Sequence, residues 1–157
     1  MATTPKSRSV NRATAVLRAI ASYNKEGVRL IDLAAQLPID RTTIYRLVQS
    51  LVAENLVIQR ENRRYFLGQG LFELGLCAGQ HFNYSDLSSA VLDNIAAGTG
   101  DTVFLSIRSR NETVCIDRRN GHFPIKVFNV EIGDRRPLGA GAAGVAILSA
   151  LPDLEAR

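Results

Sequence analysis

Leu30-Ile31-Asp32-Leu33-Ala34-Ala35-Gln36-Leu37-Pro38-Ile39-Asp40-Arg41-Thr42-Thr43-Ile44-Tyr45-Arg46-Leu47-Val48-Gln49 opens the stretch, running on to Tyr65, whose reading decides the fold. Leu30, Leu33, Ala34 and Leu37 share one face at helical spacing, and Pro38, with no N–H to continue the ladder, stops that helix. Asp40 is a good N-cap for a second helix over 41–54, with Ile44, Leu47, Val48 and Leu51 as its apolar stripe. The opposite face carries Arg41, Thr42, Thr43, Tyr45, Arg46 and Gln49, and each of these can donate a hydrogen bond to a phosphate or a base edge.

Two short alternating runs follow, Val57-Ile58-Gln59-Arg60 and Arg64-Tyr65-Phe66-Leu67, around the polar turn Glu61-Asn62-Arg63, which is a β-hairpin pattern. Arg60, Arg63 and Arg64 make it far more basic than a structural hairpin requires. A donor-rich helix followed by a basic hairpin is the order of a winged helix-turn-helix, in which the helix enters the major groove and the wing holds phosphates or a minor groove. The competing reading is a small helical domain with a solvated basic face.

The charge is placed accordingly. Residues 1–64 hold eleven lysines and arginines against five acidic residues, a net +6, whereas the remainder holds eight against ten, so the overall +4 averages a basic N-terminal part with a slightly acidic rest. At 157 residues and 46% hydrophobic, the chain has room for a core and one or two small domains. No apolar run is long enough to cross a membrane, and the polar start Met1-Ala2-Thr3-Thr4-Pro5-Lys6-Ser7-Arg8 reads as a flexible tail (residues 1–8) without a secretory h-region. Cys77 and Cys115 lie in apolar contexts and suggest no disulfide framework, which fits a cytoplasmic protein.

Upstream, Ser9 reads as the cap of a helix bearing Ala13, Val16, Leu17, Ile20 and Ala21, and Gly27 ends the connection after it. Beyond the hairpin, Leu71, Leu74, Gly75 and Ala78 share a face of a helix over 69–80, with Phe72 and Leu76 beside the stripe. This helix either packs on the first one or serves as a dimer contact. From about Phe82 the pattern becomes α+β. Ser85 reads as the cap of a helix carrying Leu87, Val91, Leu92 and Ile95, closed by Gly98 and Gly100. Strands over 102–108 and 113–118 flank a turn at 109–112, and a third strand is expected over 125–130 after Asn120-Gly121. The run from Gly139 to Leu148 opens a helix with glycines and alanines, a pattern that fits either a small anion or carboxylate at the helix start or close helix packing.

These elements in this order resemble the IclR family of bacterial transcription regulators. The matching residues are Leu33-Ala34 with Arg41-Thr42-Thr43-Ile44-Tyr45-Arg46-Leu47, then Tyr65-Phe66-Leu67-Gly68 with Leu71-Phe72-Glu73-Leu74-Gly75, then Asp117-Arg118, and last Arg136-Pro137-Leu138-Gly139. The resemblance covers nearly the whole chain from Ser9. It implies an α+β chain with a winged helix-turn-helix DNA-binding domain (residues 9–68), a dimerising linker helix (69–82) and a GAF-like α/β effector-binding domain (83–157). It also implies binding of palindromic operator DNA as a dimer or tetramer, modulated by a small metabolite such as an organic or aromatic acid, and an effector site taking backbone and side-chain contacts from Gly141, Ala142 and Ala143. Two departures stand out. Pro38 occupies the turn where the family commonly has glycine, and family members usually run on for about another hundred residues, so the sensor domain is expected to be incomplete here.

Enzyme chemistry is not expected, because there is no nucleophile elbow or phosphate loop and His81 and His122 are the only histidines. Cys77 and His81 lie one helical turn apart, but Cys115 and His122 do not complete a set at metal-ligand spacing, so Cys77 is read as core, His81 as a solvated helix end, and no metal or cofactor is expected. A winged domain that docks proteins, or a truncated regulator without effector response, is the alternative reading. The polar recognition face argues against protein docking, and the lack of exposed stacking aromatics argues against RNA.

Overall fold

The structure, a computed structural model, describes residues 7–23, 25–82, 84–124 and 130–152, with only the backbone of 85–87. The chain divides into two compact units after Phe82.

The first unit contains α1 (Arg8–Ala21), α2 (Leu30–Gln36), α3 (Arg41–Ala53), β1 (Val57–Gln59), β2 (Tyr65–Leu67) and α4 (Gln69–Gly79). Its core is Val16 and Ile20 from α1, Val28, Leu33 from α2, Ile44, Val48 and Leu51 from α3, Val57 and Tyr65. These are the apolar stripes expected from helical spacing, and each fully buried aliphatic side chain contributes roughly 1.5–3 kcal/mol of transfer free energy. The first helix begins at Arg8, with Ser7 at the cap position and no side-chain cap bond, so Ser9 lies in the first turn and does not cap it.

The turn between α2 and α3 is built around Pro38. Leu37, held extended by the ring that follows it, accepts a hydrogen bond from the N–H of Ile39 at 2.7 Å, so the chain reverses around Pro38 in a three-residue turn without a positive φ. Asp40 then caps α3 as expected, its Oδ1 accepting from the N–H of Thr43 at 2.8 Å. The far end of α3 closes in a Schellman arrangement. Asn55 takes φ 56°, its N–H donates to Val52 O, and that of Leu56 donates to Leu51 O.

β1 and β2 pair antiparallel, Ile58 opposite Phe66, and Val28 adds a bridge to Tyr65 through two backbone hydrogen bonds of 2.8 and 3.0 Å. The connection between α1 and α2 is therefore stitched to the hairpin. Gly27, at φ 67°, makes this possible, since a Cβ there would run into the Phe66 ring.

α4 departs from one of its expected roles. It buries no residue, and Phe72, Leu74 and Leu76 are 66%, 61% and 58% exposed, so it does not pack on α1. For the same reason Cys77 is exposed and is not a core residue.

The second unit contains α5 (Tyr84–Thr99), β3 (Val103–Ser109), β4 (Glu112–Arg119), β5 (Arg135–Pro137) and α6 (Gly141–Ser149), with the sheet ordered β3-β4-β5 and antiparallel throughout. α5 starts before Ser85, which therefore lies inside the helix and is not its cap. Among its described side chains Leu92 and Ala96, one turn apart, are buried, whereas Val91 and Ile95 of the expected stripe are exposed. The strand expected over 125–130 falls largely outside the described residues. β5, which supplies the third strand of the sheet, was not anticipated: its three residues show no alternation, and it exists because Thr113 and Val114 offer it an edge. Arg119 clips α5 to β4, bonding Asp93 Oδ1 at 2.8 Å and Ser89 Oγ at 3.1 Å from the strand that also carries its partner Asp117. Among the described residues no helix is long and apolar enough to cross a membrane.

Candidate nucleic-acid interface

With Ile44, Val48 and Leu51 turned into the core, the 3.6-residue period leaves the other face of α3 outward. Arg41, Thr42, Tyr45, Arg46 and Gln49 are exposed, Tyr45 to 50%, while Thr43 is half-buried. Thr43 is the least free of the six residues singled out in the sequence, because its backbone N–H is held by Asp40. The same contact, made by the Thr43 side chain and then its N–H, holds the Asp40 carboxyl below the usual carboxylate range. Gln49 faces the hairpin. The Tyr65 hydroxyl is pushed up by burial, with Tyr45 acting in the same direction and the Gln49 side chain against it.

The three arginines of the hairpin have three different environments. Arg60 lays its guanidinium over the Phe66 ring, 4.4 Å from the centroid. Arg64, half-buried, donates from Nη1 to the carbonyl of Gly27 at 2.8 Å. Arg63 is exposed at the tip, in the left-handed region at φ 56°. The tip is a three-residue loop. Arg63 N–H donates to Arg60 O, Arg60 N–H to Arg64 O, and Asn62 Oδ1 accepts from Arg64 N–H at 3.1 Å. One arginine thus projects, one stacks along the strand and one is partly used in holding the hairpin to the α1–α2 connection. The sequence treats the three alike, since Phe66 and Gly27 become their neighbours only in the folded chain.

In the second unit, Gly141, Ala142 and Ala143 line one wall of a cavity of about 530 Å³. The opposite wall comes from β3, β4 and the approach to β5, and its polar groups are Ser106, Thr113, Asp134 and Arg136. Reasoning from sequence missed this wall. The alternation that buries Thr113 and Cys115 on β4 was visible, but Arg136 enters from the unanticipated strand. Gly141 at φ 73° opens α6, and Gly144 packs against the backbone of Gly139, where a Cβ would meet the Gly139 nitrogen at 2.9 Å, so the close-packing reading of the small-residue run applies at Gly144. Among the described residues no group of three or more histidine, cysteine or acidic side chains could hold a metal.

Comparison with known proteins places these features. Residues 9–61 match the IclR helix-turn-helix domain. The chain is 31% identical over 150 residues to the HTH-type transcriptional regulator TtgV of Pseudomonas putida, a match that covers 92% of this chain and 54% of that one. It is 25% identical over 146 residues to the HTH-type transcriptional regulator KipR of Bacillus subtilis, covering 90% and 58%. A crystal structure of an IclR transcriptional regulator from Alicyclobacillus acidocaldarius superposes with a TM-score of 0.78 at 26% identity, covering 96% of this chain and 61% of the other. The chain thus spans little more than half the length of the curated relatives it matches.

Proposed function

Because this chain is of the IclR family, its residues 9–61 matching that family's helix-turn-helix domain, we propose that it regulates transcription by binding a promoter operator as a dimer or tetramer, with a small metabolite modulating the binding. The observation that carries the reading is the two-sidedness of α3. Its apolar stripe is consumed by the core, and the face left over presents Arg41, Thr42, Tyr45, Arg46 and Gln49 beside a hairpin whose tip is an exposed arginine. That is a set of donors for base edges flanked by donors for phosphates. Arg46 and Gln49 read bases, with Thr42, Thr43 and Tyr45 at the groove wall, and Arg41, Arg60, Arg63 and Arg64 meet the backbone or minor groove. Two copies place two α3 helices on half-sites about 10 base pairs, or a multiple of that, apart.

The exposed apolar side chains of α4 support a contact with a second copy, since a helix that contributes nothing to its own core gains most by burying them elsewhere. The cavity beside Gly141, Ala142 and Ala143 suits a small organic acid, its ring against Phe104 and Ala146 and its carboxylate toward Arg136. A regulator acting in this way works in the cytoplasm, with its DNA.

The test is fluorescence anisotropy of the purified chain on DNA from upstream of its own gene and on a scrambled duplex, each across a salt series. Selective binding that falls steeply with salt is expected. Equal, weak binding to both duplexes would sink the reading. Adding benzoate as a model aromatic acid tests the second half: an affinity on the upstream duplex that does not move with any organic acid of that size leaves the cavity without a regulatory role.

A further inference from the structure

A groove of about 450 Å³ runs along the first half of α1, walled by Arg8, Asn11, Arg12 and Ala15 on one side and by Leu37, Pro38 and Ile39 on the other. Its polar wall has one sign. Two guanidiniums and a carboxamide line it, and among the described residues no carboxylate does. The apolar wall is the turn that leads through Asp40 into Arg41, so the groove lies at the N-terminal end of the recognition helix. Arg12 does act on Asp40 electrostatically, but that carboxylate is committed to capping α3. The N–H of Ile39, the polar group nearest the bend, is already given to Leu37 O.

Arg8 is exposed and Arg12 half-buried, both at the groove, and arginine is suited to such a place because its aliphatic stem tolerates apolar neighbours while its head carries the charge. A helix entering the major groove N-terminus first brings that end beside the sugar-phosphate strand bordering the groove. A guanidinium pair set against an apolar wall suits a monoanionic oxyanion with two free oxygens, which forked donors bind in pairs. We infer that the groove formed by Arg8, Asn11 and Arg12 against Leu37–Ile39 is a phosphodiester clamp, holding the DNA backbone at the edge of the half-site opposite the wing. It would act on every sequence alike and would fix how far α3 sits along the groove. The inference rests on the DNA-binding reading above and adds residues of α1 that belong neither to the recognition helix nor to the wing.

The experiment compares the wild-type chain, Arg8→Gln/Arg12→Gln, Arg8→Lys/Arg12→Lys and Arg18→Gln, the last on α1 but outside the groove, by anisotropy on the upstream and scrambled duplexes across a salt series. The glutamine pair is expected to lose roughly tenfold on both duplexes and to flatten the slope of log affinity against log salt by about one, the share of one phosphate contact. The lysine pair should keep the slope, and Arg18→Gln should match wild type. A glutamine pair with the wild-type slope overturns the clamp while leaving the DNA-binding reading intact. A loss confined to the upstream duplex overturns it too, because that is the behaviour of a base reader. A lysine pair whose salt slope flattens as much as that of the glutamine pair also overturns it, because lysine keeps the charge that carries the slope even where it loses the fork. Wild-type chain that binds neither duplex removes the underlying reading, and the clamp with it. Inorganic phosphate, titrated as a competitor, separates a site for free anion from one for DNA: competition far above the effect of equal ionic strength in chloride would reassign the groove to the free anion.

Discussion

Arg64 donates its Nη1 hydrogen to the carbonyl oxygen of Gly27, 2.8 Å away and 37 residues earlier in the chain. Next to it, Val28 and Tyr65 exchange two backbone hydrogen bonds. The hairpin is thereby tied to the start of α2 at one edge, while its other strand continues directly from α3. Arg64→Ala should therefore cost stability, about 1.5–3 kcal/mol for a charge-assisted bond from a half-buried arginine to the carbonyl of a buried glycine. Arg63→Ala, at the tip, should cost none of this and should weaken binding to operator and scrambled DNA by the same factor. Thermal melts of the two variants decide it; equal melting temperatures would mean that the Gly27 contact contributes nothing.

Gly27 itself is doubly constrained, by φ 67° and by the Phe66 ring where a Cβ would go. Gly27→Ala adds strain of order 1–3 kcal/mol from the backbone and a comparable cost from overpacking. Because Phe66 also carries Arg60, the displaced ring should disturb the wing as well. Chemical denaturation would show the midpoint falling without a change of slope. An unchanged midpoint would mean the ring moves aside freely.

Arg46 is placed to read bases. Arg46→Ala should lower affinity for the operator by about 1–3 kcal/mol and leave scrambled DNA nearly unaffected, since the lost contact carries sequence information. Equal losses on both duplexes would move Arg46 to the backbone set.

Acid sensitivity should concentrate at the start of α3. The Asp40 carboxyl lies below its ordinary value because Thr43 hydrogen-bonds it. A carboxyl whose value is lower in the folded than in the unfolded chain contributes fully above the unfolded value, near 3.9 for aspartate, and loses that contribution as pH falls through the folded one. Asp40→Asn keeps an acceptor for the Thr43 N–H but removes the titration. Its melting temperature should thus fall less steeply than that of wild type as pH drops below about 4. Parallel profiles would place the acid response elsewhere, with Asp32, lowered by its hydrogen bond from Arg29, as the next group to test.

Phe72→Glu/Leu76→Glu alters side chains that the first unit does not bury, so its melting temperature should hold while self-association weakens. Analytical ultracentrifugation across a concentration series reads this directly. Unchanged association would exclude α4 as the contact.

Helices α1 to α3 and the hairpin of the first unit were legible because their apolar residues recur at periods of 3.6 and 2, and because Asp40, Pro38 and Gly27 are local signals that do what local chemistry dictates. What was not legible depends on partners distant in sequence. β5 is a strand only because β4 receives it, and the helix starts misplaced at Ser9 and Ser85 reflect serines that suit a cap but lie one or more residues inside the helix. In α5 the burial of Ala96 in place of Ile95 shows the sheet selecting a face that hydrophobicity alone would rotate. At the candidate interface the residue types were readable. Their division of labour was not, because Arg60, Arg63 and Arg64 differ only in what the fold brings beside them.

Position 63 carries a conflict that follows from its backbone angle. An arginine at φ 56° sits where glycine or asparagine would rest with less strain, and where the proposed contact with DNA asks for a cation. Selection of variants at this site for heat resistance alone should enrich glycine and asparagine, whereas selection for promoter occupancy should return arginine or lysine. The wing tip is then a place where thermal endurance and grip on DNA pull the same codon in opposite directions.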